Sequence, residues 1–357
     1  MLDTDVGVST DELQLAHRNA AMPLEALRWP LTPLGLHYLL IHYDIPDVDA
    51  GAWRLEVGGH VARPLSLSLA DLQSRERVSV PVTMECAGNG RARLWPRPVS
   101  QPWLGEAVGT AAWTGTPLAP LLEEAGIADG AVDVVFTGLD HGVEGGVAQA
   151  YERSLALDEA LTAGAVLAWT IGDTPLPPQH GFPLRLVVPG WYGMTNVKWL
   201  ARITVLDAPF EGYQQTHGYR FRRSEDDEGT AVTRMLPRAL MRPPGVPDFL
   251  SRRRFVAPEP CLLEGRAWSG WGAIERVEVS ADGGEHWADA ELGDAPGPHA
   301  WRGWSYRWAP AGEGDYELAC RATDAAGNVQ PLQPGWNLGG YANNAVQRVA
   351  VTVSAAP

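Results

Sequence analysis

Alternating apolar and polar positions predict several strands in the first half of the chain. The stretch VSVPVTMEC at 78–86 alternates as a half-buried strand does. The β-branched run VDVVFTGLD at 132–140 ends at Asp140, and 184–190 and 197–207 have the composition of buried strands, separated by a Gly-Trp-Tyr-Gly loop. The first half is therefore predicted to be rich in strands.

One amphipathic helix is predicted at 117–126. Gly126 is of the type that ends a helix in the left-handed conformation. Because strands and helices alternate irregularly, the predicted fold class is α+β or mixed α/β rather than a doubly wound sheet. The apolar face of the helix contains Leu118, Leu121, Leu122 and Ala125.

The composition changes between residues 224 and 260. SEDDEG and the proline-rich stretch after it are typical of a linker. Beyond it, alternating runs recur at the spacing of a β-sandwich, and Asp-Gly-Gly within AIERVEVSADGGEHWADAEL indicates a hairpin. A chain of 357 residues exceeds what one core usually supports. We therefore predict two domains, 1–245 and 246–357, the second an immunoglobulin-like β-sandwich.

Composition and charge restrict the function classes. Apolar content of 45% and charged content of 20% are ordinary for a globular protein, and the formal net charge of -15 argues against general binding of nucleic acid. The chain has no apolar run long enough to span a bilayer, and its start is polar and acidic. We expect a cytoplasmic protein without a nucleic-acid or membrane partner.

The stretch TMECAGNGR places Cys86 at a strand end, before a turn of small residues. The three cysteines are too few and too widely spaced for a disulfide framework. Small residues let a bulky group approach the backbone, and Arg91 favours the thiolate that attacks or coordinates. Buried filler, nucleophile and metal ligand remain open for Cys86 on these grounds.

A second cluster lies in HGFPLRLVVPGWYGMTNVKWL, residues 180–200. His180 and Arg185 flank the start of a strand, and Lys198, the only lysine in the chain, begins the next strand. Convergent cations and loop amides suit an anion such as phosphate. The alternative is a solvated strand end with unrelated charges.

These two stretches resemble those of a known family. TMECAGNGR is similar to the molybdenum-ligand motif of the sulfite oxidase family of molybdopterin enzymes, and 180–200 resembles that family's pterin-binding segment. LTPLGLHYLLIHYDIP, GLD and the stretch from GRAWSGWGAIERVEVSADGGEHW to WNLGGYANNA resemble further parts of it. The resemblance implies a mixed α/β molybdopterin-binding domain followed by a β-sandwich dimerisation domain.

Residue by residue, the resemblance makes Cys86 the thiolate ligand of molybdenum, a soft ligand for this metal. Tyr219 falls on the active-site tyrosine, and Arg91 and Trp103 fall on pocket positions. By themselves, these residues also fit ordinary strand ends, loops and surfaces. The positions that bind the pterin or its phosphate are occupied by His42, Asp140, His180, Arg185, Asn196, Val197 and Lys198.

Two positions depart from the sulfite-oxidising members. Leu40 and Ala273 stand where those members carry arginine. Loss of two guanidinium groups weakens the binding of a dianion, since arginine binds oxyanions bidentately. Arg220 or Arg222 could compensate from a different backbone position.

The resemblance implies a molybdenum-dependent oxidoreductase with molybdopterin as its cofactor. Oxidation of sulfite to sulfate is the leading prediction. We expect the electrons to pass to an external acceptor, because no CxxCH motif for a c-type haem occurs. The alternative is reduction of an S-oxide or N-oxide with the same cofactor. A cofactor-free interaction protein is disfavoured because Cys86, His180, Arg185 and Lys198 are all present. A homodimer through the C-terminal domain is also implied.

Overall fold

The computed structural model describes residues 7–355 and confirms the α+β class with mixed sheets. The helices are α1 Thr10–Arg18, α2 Leu69–Gln73, α3 Leu118–Ala125, α4 Leu157–Thr162 and α5 Tyr213–Thr216, and short 3-10 helices span Leu24–Arg28, Leu34–Leu36, Arg91–Arg93, Pro178–His180 and Gly193–Thr195. The strands of the first half are β1 Leu55–Gly59, β2 Leu65–Leu67, β3 Val78–Glu85, β4 Val108–Pro117, β5 Asp133–Glu144, β6 Val147–Ala156, β7 Val166–Ile171, β8 Thr174–Pro175, β9 Arg185–Val187, β10 Leu200–Leu206, β11 Arg220–Phe221 and β12 Thr230–Ala231.

Two five-stranded sheets form the first half. One has the order β2-β1-β10-β5-β6, with β1 and β10 parallel and the other pairs antiparallel. The other has the order β3-β4-β7-β8, with β9 also paired to β7. The strand predictions at 78–86, 132–140, 184–190 and 197–207 are confirmed by β3, β5, β9 and β10. These sheets bring the end of β3 close to the starts of β9 and β10.

Helix α3 forms as its apolar spacing predicts. It ends at Gly126, whose φ of 71° lies in the left-handed region that glycine enters without a steric penalty. Leu118, Leu121, Leu122 and Ala125 are all buried in the main core of the first half.

The second half is a sandwich of two sheets, as predicted. Their orders are β13-β16-β20-β19 and β14-β15-β22-β21-β17-β18. The predicted hairpin forms where β17 pairs with β18. The strands are β13 Arg238–Arg242, β14 Val246–Pro247, β15 Arg254–Val256, β16 Cys261–Trp268, β17 Ile274–Ser280, β18 Ala288–Asp289, β19 Glu291–Leu292, β20 Arg302–Trp308, β21 Gly314–Asp324 and β22 Gln347–Val353.

The linker prediction for residues 224–260 is wrong. Strand β13 is almost completely buried and pairs with β16 along its whole length, and β14 and β15 join the other sheet of the sandwich. Prolines mark turns and edge strands as well as linkers, which explains the error. The boundary between 245 and 246 stays a prediction, and β13 precedes it.

A shared core joins the two halves. Tyr192 and Met194 from the first half pack with Leu240, Trp268 and Trp301 from the second, and all are buried. The loop after Cys86 lies against this core through Ala87. Within residues 7–355, none of the helices has the length and apolar character needed to cross a membrane.

Candidate active site

A cavity opens where strand ends of the first half converge. Its empty space, including the open mouth, is about 620 Å³. Most of the predicted site residues line it, although their functional roles stay predictions. The predicted residues in the wall are His42, Cys86, Asp140, His180, Arg185, Asn196, Lys198 and Tyr219.

Cys86 is a free thiol that is held by its own main chain. Its N–H donates to the carbonyl of Ala107, and its carbonyl accepts from the N–H of Asn89, both at 2.9 Å. Burial raises the pKa of the thiol, and the charge of Arg91 only partly opposes this shift. A soft metal ion is the kind of cation that would replace the proton.

Arg91 and Trp103 are buried beside the Cys86 loop rather than in the cavity wall. The guanidinium of Arg91 lies 5.3 Å from the ring centre of Tyr341. A Cβ on Gly88 would lie 2.7 Å from the guanidinium carbon, so a larger residue there would displace it. Both Arg91 and Trp103 lower the pKa of Cys86, opposing the effect of burial.

Arg185 lies in the wall, and no carboxylate within residues 7–355 forms an ion pair with it. Its Nη1 donates to the His180 carbonyl at 3.1 Å, and its Nη2 donates to the Asn196 carbonyl at 3.2 Å. Its Nε is buried without a partner, and the guanidinium lies 4.6 Å from the ring centre of Trp113. Burial lowers the pKa of Arg185 to about 10, which keeps it charged at neutral pH.

Lys198 is positioned by two carbonyls. Its Nζ donates to Leu40 at 2.7 Å and to Gln179 at 3.3 Å. Burial lowers the pKa of Lys198 and raises that of Asp140, while their mutual attraction opposes both shifts. Asp140 Oδ1 is buried without a hydrogen-bond partner. Gly181, at a φ of 105°, lies so close that a Cβ would be 2.9 Å from the Lys198 Cβ.

The side chain of Asn196 fastens the loop that leads to Lys198. Its Oδ1 accepts from Val188 N–H at 2.7 Å, and its Nδ2 donates to the Tyr192 carbonyl at 3.2 Å. Val197 is buried, and its carbonyl accepts from Leu186 N–H at 2.8 Å. Both residues thereby hold the main chain in place beside the cavity.

Tyr219 and His42 meet across the cavity wall. The Tyr219 hydroxyl lies 2.6 Å from His42 Nε2, and the His42 ring stacks on Tyr151 at 4.8 Å. Burial lowers the pKa of His42 to about 3, so the ring is neutral. Tyr219 has a φ of 47°, which is uncommon for a residue with a side chain and typical of functional sites that store strain.

His37 is a wall residue that sequence analysis missed. Its Nδ1 lies 3.0 Å from the Tyr38 carbonyl, whereas its Nε2 is buried without a partner. Its ring lies 5.8 Å from that of His180. Burial lowers the pKa of His37 to about 4 and that of His180 to about 2. The sequence has no spacing that would indicate this pair, because the two residues lie far apart in the chain.

Arg153 is a second missed residue, just behind Tyr219. Its side chain is 2% exposed, and its guanidinium lies 5.6 Å from the Tyr219 ring centre. Its Nη1 donates to the Gln214 carbonyl, while its Nε is buried without a partner. Within residues 7–355 no carboxylate forms an ion pair with this buried cation. Arg153 lies on β6, far in the sequence from Cys86 and from residues 180–200, so no sequence motif indicated it.

The family models and the curated relatives agree on this chain. The oxidoreductase molybdopterin binding domain matches residues 42–214, and the Mo-co oxidoreductase dimerisation domain matches 250–354. Sulfite oxidase from Gallus gallus is 37% identical over 349 residues, which cover 92% of this chain and 75% of that protein. The chain belongs to the sulfite oxidase family.

Other relatives are longer than this chain. Mitochondrial sulfite oxidase from Homo sapiens is 36% identical over 355 residues, or 94% of this chain and 64% of that protein. Nitrate reductase from Hordeum vulgare is 32% identical and matches over 39% of its length. The chain thus spans about two thirds or less of these proteins.

A solved member supports the same fold. The sulfane dehydrogenase SoxCD from Paracoccus pantotrophus superposes with a TM-score of 0.81 at 26% identity, covering 99% of this chain and 90% of that chain.

The cavity fits the cofactor of the sulfite oxidase family, molybdopterin with molybdenum. Cys86 supplies a soft donor for the metal. Three buried polar atoms have no hydrogen-bond partner in the part of the chain that the structure describes: Asp140 Oδ1, His37 Nε2 and Arg185 Nε. Since buried polar atoms are normally satisfied, these are the groups expected to contact a polar ligand.

The two positions where sulfite-oxidising members are expected to carry arginine lie in different places. Leu40 lines the cavity, whereas Ala273 is exposed just before β17. Arg220 Nη2 donates to the Gly229 carbonyl at 2.8 Å, and Arg222 Nη2 donates to the Thr216 carbonyl at 2.7 Å. Neither of these two arginines is in the wall.

Proposed function

We propose that this member of the sulfite oxidase family is a molybdenum-dependent oxidoreductase that converts sulfite to sulfate. Oxygen comes from water, and the electrons pass to an external acceptor. The observation that carries the proposal is a buried thiol, Cys86, in a cavity beside three buried cations, Arg91, Arg153 and Arg185. None of the three forms an ion pair with a carboxylate in the described part of the chain. Cations that are buried without carboxylates favour anionic ligands, because burial without any counter-charge is costly.

Different side chains bind the cofactor, the metal and the substrate. When bound, the molybdenum centre supplies oxygen transfer and accepts the electron pair. Arg185 and Lys198 bind the phosphate of the cofactor, and Cys86 holds the metal. Tyr219, held by its contact with His42, orients the substrate, and the charges of Arg91 and Arg153 favour a sulfur oxyanion.

Metal analysis and turnover on one sample test this function. The full chain, expressed in a host that makes molybdopterin, is expected to contain molybdenum and to reduce ferricyanide in a saturable, sulfite-dependent way. Cys86→Ser should abolish turnover, because a hydroxyl is a poor substitute for a soft thiolate. The control Cys261→Ser, on a sandwich strand, should retain it. Purified protein without molybdenum would contradict the proposal.

Reduction of an S-oxide or N-oxide is the second candidate. Leu40 gives the wall an apolar side chain where the sulfite-oxidising members are expected to carry a cation. An apolar wall suits a neutral oxide better than a dianion. Dimethyl sulfoxide or trimethylamine N-oxide, offered with a reduced dye, would then be turned over in place of sulfite.

The oligomeric state and the location of the enzyme belong to the same proposal. A homodimer through residues 250–354 is supported by the match to a dimerisation domain. A cytoplasmic location is a further part of this proposal. Fractionation of cells that express the tagged chain, with light scattering on the purified protein, tests both.

A further inference from the structure

Glu85, the residue before Cys86, faces the C-terminal half of the protein. Successive residues of a strand point to opposite sides, so Cys86 can line the cavity while the Glu85 carboxylate points away from it. Glu85 is 1% exposed. Its Oε1 lies 3.1 Å from Nε of Arg238 on β13, and its Oε2 accepts from Nε1 of Trp268 on β16 at 2.8 Å. One carboxylate thus joins the end of β3 to two sandwich strands.

The same carboxylate reaches the loop that follows Cys86. Its Oε1 accepts from Nδ2 of Asn89 at 2.9 Å, and Oδ1 of Asn89 accepts from the N–H of Ala107 at 3.0 Å. Ala107 in turn accepts the N–H of Cys86. Glu85 is therefore connected to both sides of the cysteine.

Two more contacts fasten the loop from the sandwich side. Asn343 Nδ2 donates to the Gly90 carbonyl at 2.7 Å, and Ala342 N–H donates to the Ala87 carbonyl at 2.7 Å. Arg238 also donates to the Asn343 carbonyl. The C-terminal half therefore holds the loop at Ala87 and Gly90, with Cys86 immediately before it.

A buried ion pair is a poor way to add stability alone. Moving both charges out of water is costly, and apolar residues of similar volume often stabilise as well or better. Buried ionic groups can instead specify one geometry, because any other arrangement would leave a buried charge without its partner. Here the geometry that is specified is that of the Cys86 loop.

We propose that Glu85 and Arg238 form a clamp through which the C-terminal half sets the position of Cys86, so that this half is a working part of the catalytic centre. Both are positioning residues, since neither lines the cavity. The role in catalysis rests on the proposed function, whereas the clamp itself does not. Loss of either partner frees residues 86–91 while the rest of the chain stays folded.

Hydrogen–deuterium exchange of the full chain tests the clamp without substrate. The N–H groups of Cys86, Asn89 and Arg91 are hydrogen-bonded within the loop region, so their exchange reports its opening. Glu85→Gln and Arg238→Gln should each accelerate this exchange about tenfold, because a hydrogen-bonded charge is lost. Exchange in β10 should change less than about twofold. Arg238→Lys should restore part of the protection.

A partly exposed ion pair on the same strands supplies the control. Arg242 on β13 pairs with Glu264 on β16, and their side chains are 33% and 45% exposed. Arg242→Gln and Glu264→Gln should leave exchange at 86–91 unchanged, since exposed pairs contribute little. If Arg238→Gln does not fold, the near-isosteric Glu85→Gln carries the test.

Three results would overturn the clamp: unchanged exchange at 86–91 in Glu85→Gln, an equal rise throughout the chain, or the same rise in the control variants. In the metal-loaded protein, kcat for sulfite should fall about tenfold with KM nearly unchanged. Absence of sulfite turnover in the unaltered chain would contradict the proposed function alone, because exchange requires no turnover. Altered exchange with unaltered kcat would refute the catalytic role of the clamp.

Discussion

The Tyr219 hydroxyl lies 2.6 Å from Nε2 of His42, although the two residues are 177 positions apart in the chain. The His42 ring is neutral because burial lowers its pKa to about 3. A neutral imidazole can either donate to or accept from the phenol, so the pair can orient the hydroxyl without adding charge. This contact connects the early segment of the chain to the start of β11.

Tyr219→Phe removes the hydroxyl and leaves the ring packing in place. We expect kcat for sulfite to fall about tenfold to hundredfold, since a positioned donor acts on charge that develops during the reaction. Steady-state kinetics measures this loss. Tyr43→Phe is the control, because the Tyr43 hydroxyl bonds to Gln214 outside the cavity wall. Equal kcat for Tyr219→Phe and the unaltered chain would contradict the role of the hydroxyl.

Lys198→Met should weaken cofactor retention about tenfold to hundredfold, because a charge-assisted contact to a phosphate is lost. Lys198→Arg should not restore it, since Gly181 leaves no room to shift and the planar guanidinium has a different geometry. Molybdopterin released per chain on denaturation is the measurement. Arg202→Met, at an exposed site on β10, is the control. Full cofactor content in Lys198→Met would refute the assignment.

Arg153→Gln tests whether the buried cation behind Tyr219 favours an anionic substrate. KM for sulfite should rise about tenfold with a smaller change in kcat, because the cation attracts the bound substrate and the transition state to a similar extent. Arg153→Lys should recover part of the affinity. Arg220→Gln is the control, as this arginine binds carbonyls of its own hairpin. An unchanged KM, together with unchanged inhibition by sulfate, would exclude Arg153 from substrate selection.

The stability of the cofactor-free chain should fall between pH 6.5 and pH 4. Burial holds the pKa of His37 at about 4, below its value of 6.5 in the unfolded chain. Between pH 6.5 and pH 4 the unfolded state binds more protons than the folded state, so the free energy of unfolding falls as pH falls. The loss at pH 5 is about 2 kcal/mol for His37. Urea unfolding of the chain and of His37→Gln at pH 7 and pH 5 measures it.

The His37→Gln variant should lose less stability than the unaltered chain over the same pH interval. An exposed histidine serves as the control. At His286 the bond to Asp282 raises the pKa, so this histidine opposes the loss of stability at low pH, and His286→Gln should lose at least as much stability as the unaltered chain. Identical pH dependence in His37→Gln and the unaltered chain would contradict a buried, neutral His37.

Local pattern located much of the candidate site. Cys86 was recognisable at a strand end before small residues, and Lys198 near a strand start after a glycine-bounded loop, so each signal lies within a few consecutive positions. His37 and Arg153 had no comparable signal, since their neighbours in space come from distant segments. The linker prediction for the proline-rich stretch at 224–260 was wrong for a related reason. Its strand β13 is stabilised by pairing with β16, which local composition does not encode.

The sequence alone determined the fold class, the sandwich after the mixed first half, helix α3 and the presence of residue types suited to a soft metal and an anion. Those features follow from periodicity and chemistry over short distances. Only the tertiary structure decided that Arg153 lies behind Tyr219, that His37 meets His180 and that Glu85 pairs with Arg238. Such contacts join residues far apart in the chain, and they depend on how complete sheets pack against one another.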